Sequence, residues 1–77
     1  MKQEVLLLND KSEAVAKSLR VLRAMTGKSQ GAVAKEVGIP QTTLSHWERF
    51  GGMTLYNAIR MADYYGVGLD ELAGRRG

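Results

Sequence analysis

Seventy-seven residues with a formal net charge of +3 and no cysteine make one small domain, without room for a cofactor-binding half plus a substrate-binding half. The missing cysteine removes disulfide frameworks, thiolate zinc sites and cysteine nucleophiles, and a lone histidine cannot build a multi-histidine metal site. The longest apolar run, Val5 to Leu8, falls far short of the roughly 20 residues of a membrane span and lacks signal-peptide flanks, so the expectation is a soluble cytoplasmic module that binds rather than catalyses, with no cofactor and no membrane contact.

Taken in chain order, Val5 to Leu8 is too short for a stable helix and reads as a strand or as an apolar arm over residues 1–9. Asp10 with Glu13 then forms a capping box for a first helix, in which Val15, Leu19, Leu22 and Met25 or Thr26 recur at three- and four-residue steps. Gly27 stands where a left-handed cap ends it. Ser29 is the N-cap of a second helix, Gln30 to Val37, with Val33, Ala34 and Val37 on one face and Gly38 at its end. Ile39-Pro40 opens a third helix, since proline is tolerated in a first turn. It runs over Gln41 to Arg49 with Leu44 and Trp47 pointing inward, and Gly51-Gly52 breaks it. Thr54 caps a fourth helix whose stripe is Leu55, Ala58, Ile59, Ala62 and Tyr65. After Gly66 a short helical turn over Leu69 to Ala73 closes the core with Leu69 and Leu72, and residues 75–77 form a frayed tail. The expected fold is all-α, a compact bundle of five short helices over residues 10–74.

The charge is localised. From Lys17 to Arg49, six basic residues oppose Glu36 and Glu48, a surplus of +4, while residues 1–16 carry −1 and residues 50–77 are neutral. Such a footprint suits either a nucleic-acid contact or a basic solvated surface. The helix spacing decides between them. Two short helices joined by a tight turn form a helix-turn-helix when a small residue stands at their crossing and a glycine stands at the turn. Ala34 and Gly38 meet those demands, and Val33, Val37, Ile39, Leu44 and Trp47 supply the apolar anchors.

These residues resemble the lambda-repressor-like or Cro-type helix-turn-helix regulators, the xenobiotic-response-element family. The resemblance runs from about Ser18 to Leu72. It is carried by Leu19-Arg20-x-x-Arg23, by Ser29-Gln30, by Ala34-x-x-x-Gly38-Ile39, by Thr43-Leu44-Ser45-His46-Trp47-Glu48 and by Tyr65-Gly66-Val67-x-Leu69-Asp70-Glu71-Leu72. It implies a fold of four or five helices, a dimer on a two-fold symmetric operator, and a recognition helix over Gln41 to Arg49. The chain departs from the family pattern at Arg49-Phe50-Gly51-Gly52-Met53, a loop about one residue short and without lysine. It also carries Gly31 where a helix former is usual, at about 1 kcal/mol relative to alanine.

On this frame Gln41, Thr42, Ser45 and His46 are the expected base contacts in double-stranded DNA. Glutamine can bond adenine N6 and N7 as a pair, and the threonine methyl can meet a thymine methyl. The plain alternative is a polar solvent face. His46 lacks a second histidine or a carboxylate on its own face, so a metal role is not expected. Lys28, Ser29, Gln30, Thr43 and Arg49 are the expected phosphate contacts, with Gly51-Gly52 bringing backbone amides close; such contacts set register without reading sequence. Arg23 and Glu48 occupy the family's salt-bridge positions and would orient the recognition helix. Lys35 is expected in solvent and Trp47 in the core, while Tyr56 and Tyr64 are candidates for a subunit contact. The leading functional expectation is a homodimeric transcriptional regulator, a repressor in type, bacterial or phage-encoded. The alternative is an antitoxin or interaction module that binds a small protein partner through its N-terminal arm or its fourth and fifth helices.

Overall fold

The computed structural model describes residues 12–74. Among the described residues five helices follow one another, with no strand. They are α1 (Ser12–Thr26), α2 (Gln30–Val37), α3 (Gln41–Phe50), α4 (Leu55–Tyr65) and α5 (Leu69–Leu72). The apolar arm, Asp10 of the capping box and the tail at 75–77 lie outside the described residues.

Side-chain caps and turn glycines set the boundaries. Ser29 Oγ accepts the Ala32 amide at 3.1 Å, and Thr54 Oγ1 accepts that of Asn57 at 3.2 Å, each satisfying a donor that has no partner within its helix. Pro40 lies one residue earlier than expected. It is the N-cap of α3, and its carbonyl accepts the Thr43 and Leu44 amides at 3.0 and 3.2 Å. At the turn, Gly38 takes φ 87°, and both its amide and that of Ile39 reach the Ala34 carbonyl, at 2.8 and 3.0 Å. An L side chain rarely adopts that backbone, so glycine is what lets α3 follow α2 after so few residues.

The core is filled by Val15, Leu19, Val33, Leu44, Met61 and Leu72, all closed to solvent, with Ala34, Trp47, Met53, Ala58 and Ala62 around them. The most extensive helix contact is α1 on α3, followed by α2 on α3, while α5 packs on both α1 and α4. Two expected stripes are corrected. In α1 the inward face ends near Leu22, because Met25 is 77% exposed and Thr26 is exposed as well. In α4 the buried position is Met61, whereas Ile59 faces solvent at 44%. Either residue keeps a helical spacing with Ala58 and Ala62, so phase along the helix does not choose between them. The fifth helix stops at Leu72, and Ala73 is its C-cap.

Gly51 is held by a different constraint. It ends α3 with φ 74° and its amide on the Trp47 carbonyl at 2.8 Å. A Cβ there would lie 1.9 Å from the carbonyl oxygen of Ser12. The C-terminus of α3 therefore meets the start of α1 backbone to backbone, which closes the domain on that side. Of the two glycines expected to bring backbone amides close to phosphate, Gly51 is buried against α1 with its amide committed to the cap, whereas Gly52 is half-buried.

Candidate nucleic-acid interface

Helix α3 has two unlike sides. Leu44, Trp47 and Glu48 are buried, whereas Gln41, Thr42, His46 and Arg49 are exposed and Thr43 and Ser45 are half-buried. The apolar and polar positions alternate at helical spacing, so burying one row presents the other. Thr42, Ser45, His46, Arg49 and Phe50 line a shallow open depression on the presented side. The His46 and Phe50 rings lie 4.9 Å apart, and the Arg49 guanidinium stands 5.1 Å from the Phe50 ring centre.

Behind α3, Glu48 gathers donors from two other helices. Arg23 on α1 donates from Nε to Oε2 at 2.7 Å and from Nη2 to Oε1 at 3.0 Å, while Gln30 on α2 donates from Nε2 to Oε1 at 2.9 Å. Arg20 on α1 donates to the Glu48 carbonyl, and Arg23 Nη1 reaches the Lys28 carbonyl at 3.2 Å. Glu48 is 2% exposed, so these bonds replace the water it has lost. The hydrogen bond to Glu48 raises the Arg23 pKa further above its ordinary value and keeps it charged. The arrangement fixes both the height and the rotation of α3 against α1 and α2.

A second cluster sits at the surface. Lys28 Nζ donates to both oxygens of Glu36 at 2.8 and 2.9 Å, and the Tyr64 hydroxyl donates to Glu36 Oε1 at 2.6 Å. Bonding to Lys28, and next to Tyr64, holds the Glu36 carboxyl below its ordinary value; the same contacts with Glu36 raise Lys28 and Tyr64. Tyr64 also meets Tyr65 edge-on at 4.9 Å, and its bond to Glu36 links α4 to α2. Tyr56 does face solvent, with the Arg60 guanidinium 5.7 Å from its ring centre.

Of the residues read as phosphate contacts, Ser29 and Arg49 are exposed, Thr43 is half-buried, and Lys28 is exposed with its ammonium on Glu36. Gln30 is half-buried and its amide nitrogen is turned to Glu48. Sequence reasoning missed the roles of Arg20 and Gln30 at Glu48. It also missed Arg60, whose Nη2 caps α2 through the Val37 carbonyl at 2.9 Å. Alternating charge gives no hint of such contacts, because each depends on how two helices are set against one another. Lys35 is exposed. Among the described residues no group of three histidine, cysteine or carboxylate side chains is placed to hold a metal, and no helix is long and apolar enough to cross a membrane.

A family model described as helix-turn-helix matches residues 19–72, a span that runs from the middle of α1 to the end of α5. Searches of curated proteins and of solved structures gave no match. With most of its length matched and α2 and α3 set as a helix-turn-helix, the chain belongs to the Cro-type, lambda-repressor-like helix-turn-helix family of DNA-binding regulators.

Proposed function

We propose that the protein is a sequence-specific transcriptional regulator that acts in the cytoplasm as a homodimer, placing one α3 in each of two successive major grooves. Gln41, Thr42, Ser45 and His46 read base edges. Ser29 at the start of α2, together with Lys28, Gln30, Thr43 and Arg49, sets register on phosphates. The observation that carries the reading is the two-sidedness of α3: its polar row faces solvent while Glu48 pins the helix from behind. A rigid rod with a free polar edge is what direct readout of a groove requires. The surplus of +4 between Lys17 and Arg49 adds the attraction to phosphate, six basic residues there opposing two acidic ones.

Selection of bound duplexes from a random pool tests this. The expected product is an inverted repeat with half-site centres about 34–36 Å apart. Binding to it, followed by fluorescence anisotropy, should weaken with salt at a log–log slope near −0.9 for each phosphate neutralised. A flat salt response overturns the reading.

A protein-interaction role, as in an antitoxin, is favoured by one observation. Val21 and Met25 are exposed on α1, and with Ser18, Leu22, Val67 and Glu71 they line an apolar groove of about 200 Å³. Met25→Glu separates the two readings. It abolishes a hetero-complex seated on that groove and leaves the contact of α3 with DNA in place.

A further inference from the structure

Gly31 is the second residue of α2, and nothing in its backbone asks for glycine: its φ is not among the positive values, which belong to Gly27, Gly38, Gly51, Gly66 and Gly74. A poor helix former at that position calls for another reason. The space beside it supplies one. A Cβ built on Gly31 would stand 3.3 Å from Oε1 of Gln41, 3.8 Å from its Cδ and 3.9 Å from Oγ of Ser29. A side chain beginning there would meet the carboxamide of the first residue of α3 more tightly than ordinary contact, so that carboxamide would have to give by a few tenths of an ångström.

The orientation of that carboxamide has a physical basis. Of the Gln41 atoms, its oxygen comes closest to the Cβ position of Gly31, at the N-terminal end of α2 where unpaired amides and the helix dipole favour negative charge. The preceding residue, Gln30, has its side-chain nitrogen on Glu48 at 2.9 Å. We propose that Gly31 is a positioning residue for base readout: by lacking a side chain it lets Gln41 lie back on the first turn of α2, and this placement sets which base edge the Gln41 carboxamide prefers. The proposal rests on the reading of Gln41 as a groove contact.

The test is Gly31→Ala, alone and combined with Gln41→Ala, with two readouts. In the free protein, the side-chain amide signal of Gln41 in a nitrogen–proton correlation spectrum should move in Gly31→Ala, while circular dichroism stays helical. In duplex selection, the preference should change by about fivefold or more at one base pair of each half-site, the scale set by losing part of a bidentate contact. The other positions should hold, and the change should vanish when Gln41 is alanine.

An unmoved Gln41 signal overturns the packing. A moved signal with unchanged base preferences overturns the positioning role. The same preference change in the Gln41→Ala background also overturns it, by assigning the effect to α2 alone. If the wild-type protein selects no sequence, the groove reading of α3 falls and takes the positioning role with it. The spectrum separates that result from a failure of the packing.

Discussion

Glu48 and Glu36 sit on neighbouring helices, each paired with a cation from outside its own helix, and the two pairs do different work. Glu48 is buried and takes donors from α1 and α2. Glu36 and Lys28 remain 45% and 44% exposed. In water the Lys28–Glu36 attraction is screened and offset by the entropy of holding two long side chains. Behind α3 there is little water to take over, so a missing partner leaves a stranded charge. One carboxylate sets where α3 stands; the other adjusts the charge of the surface beside it.

Glu48→Ala gives the largest expected effect, a loss of about 3 kcal/mol from stranding Arg23 and removing the link between three helices. Urea unfolding measures it, and a double-mutant cycle with Arg23→Ala should return a coupling above about 1 kcal/mol. A coupling no larger than that of Lys28 with Glu36 would erase the distinction between the pairs.

Gln30→Ala comes next, at about 1.5 kcal/mol for a hydrogen bond to a charged group. It also tests the phosphate role proposed for Gln30, since the folded fraction should then bind DNA more weakly as well; an unchanged affinity would leave Gln30 a structural donor only.

Tyr65→Phe is smaller, within about 1 kcal/mol of neutral or slightly stabilising near pH 7, because the Tyr65 hydroxyl is closed to solvent and meets no hydrogen-bond partner among the described residues. Its signature is in the pH profile. Burial, and next the charge of Glu48, push the Tyr65 phenol up to about 12. A folded-state value above the ordinary 10 means the folded protein holds the proton longer than the unfolded chain. That contribution is complete below pH 10 and is lost as the pH rises through 12. Chemical unfolding at pH 9 to 12 should therefore show a shallower alkaline decline in Tyr65→Phe than in the wild type.

Glu36→Gln is the smallest expected effect on stability, with no resolvable change in thermal midpoint. Because the Glu36 carboxyl is held below its ordinary value, its contribution is present above that value and is lost as the pH falls through the lowered one, on a surface where screening keeps it small. What should change is DNA binding. With Lys28 released and one acidic charge removed, affinity at low salt should rise about threefold in an anisotropy titration, and the gain should fade as salt is added. An unchanged affinity would remove Lys28 from the phosphate contacts.

Much of the architecture is legible from residue type because it is enforced locally. Ser29, Thr54 and Gly38 do their capping and turning within a few residues of sequence, so their chemistry can be read without knowing the fold. The two sides of α3 follow from the spacing of Leu44 and Trp47. What escapes is set by distant segments. Met61 takes the core place expected of Ile59, a choice that helical phase leaves open. Met53, in an apparently structureless loop, becomes a core residue once α3 and α4 are placed. Gly51 looks like a loop glycine until Ser12, far away in sequence, arrives at its Cα. At the interface, exposure of Gln41, Thr42 and His46 is readable from helical phase. The commitment of Gln30 to Glu48 and of Lys28 to Glu36 is not, because a charged or amide side chain in isolation carries no address for its partner.

Trp47, the chain's one tryptophan, lies on the sheltered side of α3 at 6% exposure. Its emission is thus a built-in optical gauge of whether that helix is seated. A duplex laid along the opposite edge has no path to the indole for quenching by base stacking. Any spectral shift during a DNA titration then reports strain or reseating of the helix, and a silent tryptophan reports a protein that meets its operator already in shape.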